Sequence, residues 1–510
     1  MTLFPIAALL IAMAGGVLLT FLLIPSLRAS AAGLAFGIFA GGGIGLGVAS
    51  CLYFIALLAG AIRYIPAIDI GVCLFLAALC FYFFKRPNTP DCRQPAKKGK
   101  WPRLHLLLAG IFSVELIAWT TTFVLAHLKE PHGRWDAWLI WNMHARFLYR
   151  GGGNWREAFA SGLDWSHWDY PLLLPLSIAR GWQYSGVEDT VLPAVMGFVF
   201  AVLTLGLLLC ALALLKGWVQ GTLAAMVLMG TPFFVLMGAS QFADVPLAFY
   251  LLATLVLLLL QGRSPNVRTG ILLLAGLSAG IAAWTKNEGI LFLPVAAASL
   301  LAATAFAGGW RQAFRRAGAF LAGALPALLI VLYFKLRLAP AGDLAAGLGP
   351  AALSERLFDW SRYTEIARAF FVTGLSFTQG LIDIRVGMQL NPGAVNILLL
   401  TAYLLFAGIR VEGRDRTGLL QTGAILLLMM AGYFFVYVTT PQELSWHLAT
   451  SLNRLFLQLW PGAILVCFMM AGTPEETPVN VDGQGSTTVP QPAKSGPARG
   501  KRQRKREEVR

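Results

Sequence analysis

Apolar runs long enough to cross a bilayer recur along almost the whole chain. They lie at about 3–25, 31–61, 67–84, 104–126, 189–215, 218–237, 245–261, 270–285, 289–307, 318–335, 394–409, 417–439 and 454–471. A membrane helix needs about 20 such residues. Lipid offers no partner to a free backbone N–H or C=O, so each run must close its own hydrogen bonds as a helix. The expected fold is an all-α membrane protein of about 13 transmembrane helices. The 31–61 run has length enough for two. Only 13% of the 510 residues are charged and 57% are hydrophobic, where soluble domains carry about 25% charged. That excludes a soluble globular domain and a disordered chain.

The formal net charge is +15, from 40 Lys and Arg against 25 Asp and Glu. In a soluble protein this excess would point to nucleic acid. Here it points to topology, because basic residues collect in cytoplasmic loops. Lys85–Arg103 carries seven cations. Arg263/Arg268, Arg311/Arg315/Arg316 and Arg410/Arg414/Arg416 form the other basic connectors. Placing all four inside gives one consistent alternation, with the N-terminus outside and the C-terminus inside. Two long connectors, about 127–188 and 337–393, then fall outside. Stretches such as LSERLFDWSRYTEIARAFF in them suit helices lying in the interface plane. Three parts follow: extra N-terminal helices with a basic loop (1–103), a membrane core (104–471) and a disordered basic tail (472–510). Eight basic residues between Lys494 and Arg510 suit a topology signal or a contact with anionic lipid, not nucleic acid.

The six cysteines, Cys51, Cys73, Cys80, Cys92, Cys210 and Cys467, show no metal spacing and read as packed thiols. The N-terminus lacks a basic stretch before its apolar run, so it reads as a first membrane helix and not a cleaved signal.

The polar chemistry gathers on the outer side. Seven of the 15 tryptophans lie between Trp135 and Trp182. They suit an aromatic belt at the headgroup level or stacking on sugar rings. Arg134, Asp136, Asn142, His144, Arg146, Glu157, Asp164, His167 and Asp169 stand among them. The Trp135–Tyr149 segment has helical periodicity, with Trp138, Trp141 and Ala145 along one face. Asp136, flanked by tryptophan, reads as a general base with a raised pKa, as a helix cap, or as the partner of Arg134 or Arg146. Asp169, in HWDYPLLLPL, is a second catalytic carboxylate or a cap. Asp244, in SQFADVPLAFY, starts a helix with Pro246 in its first turn. In WTKNEG (284–289), Lys286 pairs with Glu288 or holds a phosphate. An ionisable residue at such depth costs roughly 2.5–3.5 kcal/mol to insert and is a functional candidate by default. Arg454, in SLNRLFLQLWPG, is a second phosphate candidate. Glu115 lies within a span as the partner of an unidentified basic residue.

The ordered set RWDAW, Asp169-Tyr170-Pro171, ADVPLAF, TKNEG and SLNR…P over roughly 104–471 resembles the GT-C superfamily of polytopic glycosyltransferases. That superfamily includes protein O-mannosyltransferases, bacterial aminoarabinose transferases and relatives that build envelope glycans. The resemblance implies a polyprenyl-phosphate-linked sugar donor and a glycan, lipid or protein acceptor, meeting at the outer leaflet of the plasma (inner) membrane. It makes Asp136 the general base, with Asp169 as second carboxylate and Lys286 and Arg454 on the donor phosphate. Trp135, Trp138, His144, Arg146, His167, Asp244 and Glu288 would contact substrate. Inversion follows from a lone base and in-line displacement. No cofactor is implied, and a divalent metal is left open. Several members carry two adjacent acidic residues in this loop; here Ala137 follows Asp136, which weakens a paired-carboxylate or metal-bridging role. No Gly-rich phosphate loop after a strand is present, against direct use of a nucleotide sugar. The competing expectations are a transporter or lipid-linked-sugar flippase, an envelope-assembly scaffold, and a GT-C enzyme of different chemistry.

Overall fold

The computed structural model describes residues 3–84, 102–159, 166–340, 342, 349–376 and 392–473. Most of the Lys85–Arg103 connector with Cys92, the pair Asp164 and Trp165, and the tail beyond 473 lie outside the described residues.

The helices follow the apolar runs. In chain order they are α1 (Leu3–Leu23), α2 (Ala31–Leu58), α3 (Ile65–Phe84), α4 (Pro102–Lys129), α5 (Asn142–Arg150), α6 (Leu173–Ser185), α7 (Val191–Leu215), α8 (Trp218–Met229), α9 (Pro232–Ala239), α10 (Asp244–Arg263), α11 (Arg268–Thr285), α12 (Asn287–Gly308), α13 (Trp310–Arg337), α14 (Pro350–Phe358), α15 (Trp360–Ser376), α16 (Pro392–Ala407), α17 (Gly413–Thr439) and α18 (Leu444–Met470). No strand occurs among the described residues; Ile409 and Ala471 form an isolated bridge. Among the described residues eleven helices are long and apolar enough to cross a membrane, and twelve if α8 and α9 count as one span.

The count departs from about 13 for local reasons. The 31–61 run is one helix, α2. The 218–237 run breaks by 67° between α8 and α9. Pro232 cannot donate to the preceding turn and starts a new helix there. Trp460 Nε1 of α18 donates to Thr231 Oγ1 at the break, at 3.0 Å. The 394–409 run forms α16, whose apolar part Ile397–Ala407 is short. The last helix begins at Leu444, ten residues before the expected start. Glu443 caps it, accepting from the amides of Ser445 (3.0 Å) and Trp446 (2.6 Å). The amphipathic stretch of the second long connector becomes two helices, α14 and α15, broken at Asp359.

Of the three N-terminal helices, α2 is packed deep into the bundle, while α1 and α3 lie against it largely exposed. A Cβ on Gly16 of α1 would meet the Gly41 carbonyl of α2 at 2.1 Å, and one on Gly43 would meet the Phe249 ring of α10 at 2.1 Å. Glycine is required at the first, where backbone meets backbone; at the second a side chain would have to displace the buried Phe249 ring. Arg180 of α6 is buried against Asp69 of α3 (2.5 Å) and the Ala8 carbonyl of α1 (3.2 Å).

Contacts sort the connectors into two ends. At one end, Arg28 lies 3.3 Å over the Phe84 ring. There too Arg263 binds Asp415 and the Leu215 carbonyl, and Lys216 reaches the carbonyls of Arg410 and Ala471. The opposite end brings together the 130–142 turn, Asp169, the α9–α10 corner, the α11–α12 turn and the first half of α18.

Candidate functional site

The site is built from helix ends. Gln241, at the α9–α10 corner, has a left-handed φ of 63°, which a side chain other than glycine seldom adopts. Tertiary contacts hold it there. Its Nε2 donates to the Pro131 carbonyl (3.1 Å), and its Oε1 accepts from Asn142 Nδ2 (2.7 Å). This clamp brings the loop carrying Asp136 against the first turn of α10.

Asp244, the first residue of α10, is fully buried. Its Oδ1 accepts from Lys286 Nζ (3.0 Å) and Gln458 Nε2 (2.7 Å), and its Oδ2 from Arg454 Nε (3.1 Å) and Nη2 (2.9 Å). Four donors around one carboxylate explain how a charge survives burial. Lys286 Nζ also lies 2.8 Å from Glu288 Oε1, which accepts from Gln458 Nε2 at 3.1 Å. Tyr433 donates to Gln458 Oε1 at 2.9 Å. The remaining arm of Arg454, Nη1, meets Asp136 Oδ2 at 2.7 Å. Three carboxylates therefore share two cations, a formal excess of one negative charge. Asp136 and Arg454 keep 19% and 17% of their side chains exposed, while Lys286 keeps 5%. The open edge of the network is formed by Asp136, Arg454 and Glu288, which is also 19% exposed, and Lys286 lies behind it.

A second cluster adjoins the first. Asn287 Nδ2 donates to Asp169 Oδ2 (3.0 Å), and Lys335 Nζ donates to the Asp169 carbonyl (2.5 Å) and Asn287 Oδ1 (2.8 Å). The consecutive residues Lys286, Asn287 and Glu288 thus serve both clusters. Tyr170 follows Asp169 and is packed between Trp141 (rings 5.7 Å apart) and His167 (4.9 Å). Burial raises its phenol well above the usual value, and Glu288 and Asp169 raise it further against the pull of Arg454. Tyr170 is therefore a neutral O–H among charged groups. His167 also has a left-handed φ, 52°. The two positive-φ side chains stand within three residues of Asp169 and Asp244, as strain held near a working site would.

Five residues singled out in the sequence, Asp136, Asp244, Lys286, Glu288 and Arg454, meet in the first network, and Asp169 adjoins it. Trp135 and Trp138 flank Asp136 in the chain, exposed, with rings 5.6 Å apart. His144 is buried under Trp168 (3.7 Å), and its Nε2 lies 2.9 Å from the Ser166 carbonyl. Burial pushes it down to about 3, so it is neutral, with Nε2 carrying the proton. Arg146 is engaged elsewhere, with Arg150 on Glu188. Arg134 takes Glu130, so neither nearby arginine pairs with Asp136. Glu115 lies beside the α8–α9 break: a Cβ on Gly230 would stand 3.3 Å from its Oε1.

Sequence reasoning passed over Tyr170, Gln458, Asn287 and Lys335. Gln458 had a signal, since it lies four residues after Arg454 on the same helix face. Lys335 had one too, as a cation within an apolar span. Among the described residues no three His, Cys, Asp or Glu side chains converge as metal ligands. No protein-family model matches the chain, and no curated protein or solved structure matches it either.

Proposed function

We propose that the protein is a membrane-embedded glycosyltransferase. It moves a sugar from a polyprenyl phosphate to an acceptor hydroxyl, with inversion, at the extracytoplasmic face of the plasma membrane. The observation that carries this reading is the Asp136–Arg454–Asp244 chain. It is a carboxylate with an open edge, held by an arginine that is itself anchored on a fully buried aspartate. The basic connectors at the opposite end of the bundle support an extracytoplasmic site.

In this mechanism Asp136 takes the proton of the acceptor hydroxyl. The acceptor oxygen bonds to the anomeric carbon as the carbon–phosphate oxygen bond breaks, through an oxocarbenium-like transition state. The bonding pair leaves on the lipid phosphate, whose added negative charge faces Arg454. Lys286 supplies its charge through Asp244, so that Arg454 is not fully neutralised by its two carboxylates. The Tyr170 hydroxyl is a neutral donor beside them. Trp135 and Trp138 offer exposed ring faces to a sugar.

The broken α8–α9 span with Glu115 beside it favours the competing transporter reading, since transporters place sites at discontinuous helices. One experiment separates the two. Purified protein in lipid is given a panel of polyprenyl-phosphate sugars and envelope extract, and free polyprenyl phosphate is measured for wild type and Asp136→Asn. Transfer predicts release by wild type and a loss of about 10²–10⁴ in the variant, with unchanged folding and donor binding. Equal release by both would remove Asp136 as the base. Movement of intact donor across the bilayer, with no release, would establish the transporter.

A further inference from the structure

Helix α2 enters the bundle so deeply that most of its residues are buried. Ser50 and Phe54 stand one turn apart on it. Ser50 Oγ donates to the Leu173 carbonyl at 3.1 Å and accepts from Trp284 Nε1 at 3.2 Å. Leu173 opens α6, four residues after Asp169. Trp284 is the penultimate residue of α11, three residues before Asn287. One hydroxyl thus joins the two segments whose side chains meet at Asp169–Asn287. The Phe54 ring lies 5.1 Å from Trp284, 6.2 Å from Trp155 and 6.3 Å from Tyr333. Tyr333 is two residues before Lys335 on α13. A single face of α2 therefore touches every segment that supplies the second cluster.

The helix is itself well fixed. The Gly43 carbonyl accepts from Tyr250 at 2.8 Å, and the glycine contacts with α1 and α10 leave no room for side chains. The buried Arg180–Asp69 pair ties α6 to the same N-terminal group.

We infer that the Ser50–Phe54 face of α2 is the positioning element on which Asp169, Asn287 and Lys335 are assembled, so α2 belongs to the working site. The inference rests on the transferase reading only for its effect on turnover. Ser50 and Phe54 touch no reacting atom; they act through the backbone of Leu173 and the rings of Trp284 and Tyr333. Displacing such groups by about 1 Å is enough to cost up to 10²-fold in rate.

The test uses the full chain in lipid nanodiscs, with Ser50→Ala, Ser50→Thr and Phe54→Leu beside wild type. Amide hydrogen exchange is followed at 166–173 and 284–289. Losing one shared hydroxyl predicts roughly threefold to tenfold faster exchange in both segments of Ser50→Ala, with α7 and α10 unchanged and Ser50→Thr near wild type. Phe54→Leu predicts faster exchange around Trp284 and Tyr333, and supplies the answer should Ser50→Ala fail to fold. With an active donor, kcat for Ser50→Ala falls about tenfold while KM stays within about twofold. Faster exchange in one segment alone, or in neither, overturns the inference. If wild type releases no lipid phosphate from any donor, the transferase reading fails, and the exchange pattern still decides the role of α2.

Discussion

The two ends of α10 carry buried ion clusters built on opposite plans. At its C-terminal end Arg263 takes one carboxylate, Asp415, and spends its remaining donor on the Leu215 carbonyl (2.7 Å). Lys216 and Gln220 likewise hold the carbonyls of Arg410, Ala471 and Gly472, just after the ends of α16 and α18. These groups satisfy carbonyls left over where helices stop. At the N-terminal end three carboxylates share Lys286 and Arg454, whose side chains are turned to carboxylates and not to helix-end carbonyls. Charge burial is common to both ends. Carboxylate excess and an open edge belong to one. The comparison teaches that stoichiometry and access, and not burial alone, separate a site from a fastening.

The sharpest way to break that comparison is to remove the central carboxylate at each end. Asp244→Asn leaves Lys286 and Arg454 short of their shared anion, and breaking a buried pair in this way costs about 3–5 kcal/mol. It is also expected to reduce lipid-phosphate release to background, because Arg454 loses its anchor. Asp415→Asn is expected to cost a similar amount in stability at most, with turnover per folded molecule within about twofold of wild type. The two carboxylates are separated by the 20 residues of α10, about 30 Å of helix, so their effects should add. Thermal unfolding in nanodiscs and the release assay measure both. A silent but folded Asp415→Asn would dissolve the distinction between the ends.

How much of this was legible beforehand follows the same line. Asp136, Asp244, Lys286, Glu288 and Arg454 were visible because ionisable groups beside apolar runs carry an insertion cost that demands a reason. Of their pairings only Lys286–Glu288 was, as one of two readings of Lys286. Local sequence offered Arg134 and Arg146 to Asp136. The fold gives those to Glu130 and Glu188 and brings Arg454 from the last helix, a tertiary choice that no short-range pattern encodes. Tyr170 and Gln458 carry no charge and so no such mark. The helices were readable from the apolar runs. The bend at Gly230–Pro232 and the early start of α18 at the Glu443 cap depended on local backbone chemistry inside or beside those runs.

A smaller effect sharpens the comparison through a buried group near the site that holds no charge at all. Burial keeps His144 neutral, down to about 3, with Ser166 opposing this slightly. In the unfolded chain it protonates near its ordinary value of 6.5. A base whose folded pKa is depressed contributes stability that is present above 6.5 and lost as pH falls towards about 3. The loss is roughly 1.4 kcal/mol for each pH unit inside that window. His144→Gln should flatten the slope of stability against pH between 6 and 4 and leave the pH 8 value within about 1–2 kcal/mol of wild type. An unchanged slope would mean that His144 is hydrated and charged.

The smallest expected effect tests whether proximity to the site is enough to matter. Glu188 sits in the 127–188 connector that also carries Asp136 and inverts the stoichiometry of the main network: one carboxylate faces two cations, Arg146 and Arg150, at 2.7 and 2.8 Å. Partial burial raises the Glu188 carboxyl, but the two guanidinium groups outweigh it and hold it below the ordinary value. Its contribution is therefore present above the ordinary carboxylate range and fades as pH falls through the depressed value. Arg150 is 66% exposed, so water and salt screen it. Arg150→Ala should cost about 0.2–1 kcal/mol, less in high salt, with Arg146 still holding Glu188 and turnover unchanged. A large loss of turnover here would show that the site extends to Glu188. A small, salt-dependent loss of stability alone would confine the chemistry to the carboxylate-rich network around Asp244.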